Sequence, residues 1–175
     1  MDKRIFRYLL LAPEGRAERE ELRDVFWSGQ DPKASALSLR TACSNIRKAV
    51  GTLVGEETEN YFSAANEALS VSLERINVDV RRYIAHIRTG NFCYAADELP
   101  SAYGHYKRAL VIYTGPIGWG DEPEDWLAPL TIECAALQRT VIERLAEISR
   151  KQGSPHRALE YEAMLSRGAA REVIA

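Results

Sequence analysis

The spacing of apolar residues in this chain changes period once, and the place where it changes limits the folds open to it. Up to Val50 the spacing is helical. Beyond Gly51, Leu69, Val71 and Leu73 alternate with Ser70, Ser72 and Glu74, as on a strand with one buried face. A first helix is predicted over residues 3–12, stopped by the breaker cluster Pro13-Glu14-Gly15. A second is predicted over about residues 18–27, with Leu22, Val25 and Phe26 on one face and Ser28-Gly29-Gln30 ending it. Asp31-Pro32 opens the third, an N-cap acceptor followed by proline at the first helical position. That helix is predicted to reach Val50, with Gly51 as its C-cap. Tyr61-Phe62-Ser63 can pair antiparallel with the alternating run, and residues 64–67 turn the chain between them. Three helices followed by a β-hairpin are the skeleton of a winged helix, expected over residues 1–76.

From residue 77 the patterns are almost wholly helical, at about 79–89, 92–113, 124–152 and 155–170. A Gly/Pro-rich loop, residues 114–123, crosses between the middle two. Gly90…Ala95 and Gly153…Ala158 share a Gly-x4-Ala spacing. In helical repeats, such a glycine permits a tight turn and such an alanine lets paired helices approach closely. The expected architecture is mostly α: a winged helix-turn-helix with a small hairpin wing, then a tetratricopeptide-like helical bundle over residues 77–175.

The third helix carries the most chemistry. At about 100° per residue, Leu39, Cys43, Ile46 and Val50 fall within roughly a 60° sector. Arg40, Ser44 and Arg47 share a sector beside it, with Lys33 on the same line, and Thr41, Asn45 and Lys48 extend the polar face. From Lys33 to Gly55 there are four basic residues and no acidic one. A helix that buries one stripe and offers Arg, Lys, Asn, Ser and Thr on the other meets the needs of major-groove docking. Arg and Asn can make bidentate contacts to base edges, while Lys, Ser and Thr hold phosphates. The competing explanation is a solvated face that is basic by chance. The wing segment opposes DNA contact: from Ala49 to Glu74 there are five glutamates and no Lys or Arg. Such a wing must stay clear of phosphate, which leaves the contact to the helix.

Other functions are bounded by composition. The 175 residues carry 23 basic and 25 acidic side chains, a net charge of -2, so any anion-binding surface must be a local patch. Cys43, Cys93 and Cys134 form an odd, scattered set that fits reduced thiols in a cytoplasmic protein. No stretch reads as a signal peptide or a membrane span. His86, His105 and His156 lack metal-ligand spacing, and Gly115, Gly118 and Gly120 form no phosphate-binding motif. The carboxylates Glu20-Glu21 and Asp121-Glu122…Glu124-Asp125 sit where they meet helix macrodipoles favourably. Tyr103, Tyr106, Tyr113, Trp119 and Trp126 read as helix-pair packing. The expectation is a protein without catalysis, cofactor or metal.

Gly15-Arg16-Ala17-Glu18-Arg19-Glu20-Glu21-Leu22, Phe26-Trp27, Asp31-Pro32, Ala36-Leu37 and Ile46-Arg47-Lys48-Ala49-Val50-Gly51 resemble the DNA-binding half of the SARP-type antibiotic regulatory proteins, an OmpR-like winged helix. Asn77-Val78-Asp79-Val80, Arg108-Ala109-Leu110, Tyr113-Thr114-Gly115-Pro116 and the long helix after Trp126 resemble the bacterial transcriptional activator domain that follows it. The resemblance implies double-stranded DNA as a partner, direct repeats as sites and recruitment of RNA polymerase. By position, it implies DNA contacts at Arg40, Ser44, Asn45, Arg47 and Lys48. Self-association as a homodimer is a further expectation for the helical half. An alternative is a protein-interaction adaptor whose winged helix no longer meets DNA.

Overall fold

The computed structural model describes residues 1–65, 67–115 and 124–172. The chain divides into two compact units, Met1–Val78 and Asp79–Ala175, each with its own core.

In the first unit, helix α1 (Asp2–Leu11) buries Ile5 and Leu9 and ends ahead of Pro13. A short strand follows, β1 (Arg16–Glu18), then α2 (Arg19–Trp27) and the long helix α3 (Pro32–Val54). A single helical turn, α4 (Thr58–Tyr61), leads into β2 (Phe62–Ser63) and β3 (Ala68–Val71). The hairpin expected from sequence is therefore part of a three-stranded antiparallel sheet of order β1-β3-β2. Ala17 stands opposite Leu69, and Phe62 opposite Val71. These four side chains are buried, so the sheet turns one face onto the helices. Leu73 falls beyond the strand, which ends at Val71. Asn66, in the expected turn, lies outside the described residues.

Local chemistry explains most boundaries. The Asp31 carboxylate accepts from the Lys33 and Ala34 amides, both at 3.0 Å, and Pro32 occupies the first turn. Glu18 and Glu21 form a capping box on α2, satisfying amide donors that the first turn leaves orphaned. The Tyr8 hydroxyl donates to Glu21 at 2.5 Å. Burial and that carboxylate push its pKa up to about 12. The predicted stop at Gly51 is corrected: α3 runs one turn further, and Gly55 caps it with φ +63°. Gly51 instead faces Thr58, whose Oγ1 would stand 3.1 Å from a Cβ placed there. Gly15 is needed where α1 hands over to β1. Its φ is +71°, and a Cβ would lie 2.6 Å from the Val71 carbonyl oxygen.

The second unit begins with two consecutive helices, α5 (Asp79–Ala95) and α6 (Leu99–Ile112). After a 3-10 turn at Asp125–Leu127 come α7 (Ala128–Lys151) and α8 (Pro155–Glu172). The break predicted near Gly90 does not exist, because α5 passes straight through it. Gly90 is instead a contact point, where a Cβ would sit 2.7 Å from the fully buried Tyr106 ring. The break falls at Asp97, whose φ is +58°. Glu98 N–H donates to the Cys93 carbonyl (2.9 Å) and Asp97 N–H to Tyr94 (3.1 Å). The end of α7 repeats this arrangement: Ser154 N–H to Ser149 (2.8 Å) and Gly153 N–H to Arg150 (3.0 Å), with Gly153 at φ +70°. Both ends are Schellman motifs. The structural repeat thus matches Asp97 with Gly153 and Ala102 with Ala158, not Gly90 with Gly153. Ala102 and Ala158 are both buried in their helix pairs.

Candidate nucleic-acid interface

Helix α3 is amphipathic along its length. Its inward stripe, Leu39, Ala42, Cys43, Ile46 and Val50, is buried against α1 and α2. Burial pushes the Cys43 thiol pKa up, as expected of a packing residue rather than a reactive one. With this stripe inward, the outward arc covers roughly 160° of the helix surface. Lys33, Arg40, Thr41, Ser44, Asn45, Arg47 and Lys48 are all exposed on it.

The structure separates these seven residues by what they touch. Asn45, at one edge of the arc, donates from Nδ2 to the Asp2 carboxylate at 2.9 Å. Arg47, at the other edge, donates from Nε to Glu59 of α4 at 2.9 Å, and its guanidinium lies 5.9 Å from the Phe62 ring centroid. Thr41 Oγ1 donates to the Leu37 carbonyl at 3.0 Å. Lys33, Arg40, Ser44 and Lys48 occupy the middle of the arc, and none of their side chains meets an acidic partner among the described residues. The edges are thus tied to the fold and the centre is open. The Arg47–Glu59 pair is 43% and 64% exposed, so water and salt screen it and it contributes at most about 1 kcal/mol. A phosphate can compete for Arg47 on those terms.

The glutamates after α3 turn out to be distributed. Glu59 folds back onto Arg47, Glu57 meets Arg75 at 3.5 Å, and the Arg75 guanidinium stacks 5.6 Å from the Tyr61 ring. Arg19, at the start of α2, donates to the Ala64 carbonyl at 3.2 Å and so anchors the approach to the wing tip. Sequence spacing did not reveal the Asp2–Asn45 and Arg47–Glu59 contacts, since both join residues from different elements. Leu37 is 64% exposed in the middle of the same arc.

In the second unit, His86 and His105, distant in sequence, come together with their Nδ1 atoms 3.2 Å apart. Burial, then His105, Arg108 and Arg82, hold the His86 pKa below its usual value. Among the described residues no three potential ligands gather as a metal site. Glu147 accepts from the Tyr94 hydroxyl and pairs with Arg144 (3.0 Å) and Lys151 (3.1 Å). The hydrogen bond from Tyr94, then that from Lys151, lowers its pKa to about 2. The aromatics pack between helices: Tyr83 stacks on Tyr113 with centroids 5.0 Å apart, and the Tyr103 and Tyr161 hydroxyls meet at 2.9 Å. Trp126 hydrogen-bonds Glu124. Trp119, Gly118, Gly120, Asp121 and Glu122 lie outside the described residues. No helix among the described residues is long and apolar enough to cross a membrane.

No family model matches the chain, and no curated protein matches it. Among solved structures, it is similar to Mycobacterium tuberculosis EmbR in complex with low affinity phosphopeptide, with a TM-score of 0.80 and 20% identity. The match covers 98% of this chain and 45% of that one, so this chain spans less than half of its neighbour's length. Identity at that level speaks to fold alone. The architecture, mostly helical with a small three-stranded antiparallel sheet, is the fold the two share.

Proposed function

We propose that the chain is a DNA-binding transcriptional regulator without catalytic activity, acting in the cytoplasm. Helix α3 enters the major groove of double-stranded DNA, with Lys33, Arg40, Ser44 and Lys48 making the primary contacts and Thr41, Asn45 and Arg47 flanking them. One observation carries this reading: the centre of the outward arc of α3 is cationic and exposed, with no acidic partner, while the opposite stripe is packed into the core. The SARP-like fold supports a regulator role. The helical unit serves self-association or contact with RNA polymerase, since tetratricopeptide-like hairpins expose long helix faces suited to protein partners.

The test is a fluorescence-anisotropy titration of mixed duplexes at low salt. Saturable binding is expected, weakening with salt at a log-log slope set by roughly two to four neutralised phosphates. Arg40→Ala should weaken it; unchanged binding would remove the reading.

The adaptor reading is favoured by one specific observation, the engagement of Arg47 by Glu59, which lowers the positive potential at one edge of α3. EmbR was solved with a phosphopeptide, and a protein partner is the corresponding reading for this chain. Absence of any salt-sensitive duplex binding would favour the adaptor.

A further inference from the structure

Leu37 stands one turn after Lys33 and one turn before Arg40 and Thr41, on the second turn of α3. It is 64% exposed and lies nearly opposite the buried stripe of that helix, so it cannot fold back onto the core. Leu53, the other exposed leucine of α3, belongs to the last turn, past the cationic residues. Single exposed leucines are ordinary on protein surfaces. This one is distinguished by its place at the centre of a cationic arc, in the N-terminal half of the helix, where a helix-turn-helix presents side chains to base edges. The major groove offers one apolar group on its floor, the C5-methyl of thymine. Lys33 and Arg40, bracketing Leu37, can hold phosphates or guanine edges on either side. Thr41 donates its hydroxyl to the Leu37 carbonyl, which leaves that hydroxyl less able to hydrogen-bond a base edge.

Building on the DNA-binding reading above, we propose that Leu37 is a specificity-determining residue that packs on the methyl group of a thymine and makes that base part of the recognised site. The contact forms no hydrogen bond. It discriminates by removing two apolar surfaces from water together, and loss of a single methyl should weaken binding about fourfold.

The experiment begins with selection of bound duplexes from a randomised pool by the full chain. The enriched duplex is then resynthesised with deoxyuridine replacing each thymine in turn, which deletes only the methyl. Wild type, Leu37→Ala and Leu37→Gln are titrated against each duplex by anisotropy, with helicity checked by circular dichroism. The expected result is one thymine position at which deoxyuridine weakens the wild type about fourfold and leaves both variants unaffected. If no deoxyuridine substitution matters, or if one weakens wild type and variants equally, Leu37 does not read a thymine, though DNA binding stands. If the pool yields no saturable duplex binding, the DNA-binding reading itself fails, and this inference with it.

Discussion

At the scale of single residues, Arg40 and Arg47 look alike in sequence but differ in what surrounds them. Arg40 has no acidic partner among the described residues, whereas Arg47 is held by Glu59. Replacing Arg40 by Ala should therefore cost about 1–3 kcal/mol of duplex binding, measured by anisotropy against the wild type. Glu59→Gln should act in the opposite direction. Freed of its carboxylate, Arg47 becomes available to phosphate, so affinity rises and the log-log salt slope steepens by about 0.9. A slope unchanged by Glu59→Gln would show that Arg47 stays away from the duplex. Gly90 offers a stability test of the same kind. A methyl there would press on the Tyr106 ring, which is fully buried and whose hydroxyl donates to Asn91 at 2.7 Å. The helix propensity gained, about 1 kcal/mol, is outweighed by overpacking of about 1–3 kcal/mol. Gly90→Ala should thus lower the unfolding free energy by roughly 1 kcal/mol net, read as a lower urea midpoint.

Elements show how charge is distributed around the helices. His86 on α5 and His105 on α6 face each other with Arg82 and Arg108 nearby and no carboxylate among the groups acting on His86. The folded chain resists protonation of His86 more than the unfolded chain does. Stability from this site is therefore complete above the ordinary histidine value of 6.5 and is lost as pH falls below it. Melting temperatures should drop as pH falls below 6.5, and His86→Gln should flatten that drop. The α5–α7 contact works on the acid side. Glu147, lowered to about 2 from its ordinary 4.5, stabilises the fold above 4.5 and loses that contribution as pH falls towards 2. Glu147→Gln should remove this acid limb from a melting-temperature profile while leaving the histidine limb in place. Some of the elements themselves were legible. The Asp31-Pro32 start of α3 and the alternation of Leu69 and Val71 were both read correctly. Strand β1 was not, since Arg16-Ala17-Glu18 holds one apolar residue and its partner, β3, lies some fifty positions away in sequence. The Gly90 break was misread because a glycine at a close helix contact and a glycine at a turn look the same along the chain.

For the molecule as a whole, a net charge of -2 means that no long-range field draws this chain to nucleic acid. On the proposed reading, duplex affinity depends on the few cations of α3. With two to four phosphates neutralised, binding should fall roughly ten- to hundredfold between about 50 and 200 mM salt, less than a uniformly basic protein would lose. A much steeper loss, read from titrations across that range, would require contacts beyond the seven residues of the outward arc. The candidate face was largely visible in sequence because it follows from helical periodicity alone. Its division into an open centre and tied edges was not, because Asp2 and Glu59 reach α3 from other elements.

Sequence alone determined the succession of helices, the winged-helix order and the side of α3 that must be buried, because periodicity and caps act over a few neighbouring residues. Tertiary structure decided the third strand, the helical contact at Gly90 and the carboxylates that hold Asn45 and Arg47. Each of these depends on groups far apart in the chain meeting at a few ångströms, and no local pattern encodes such a meeting.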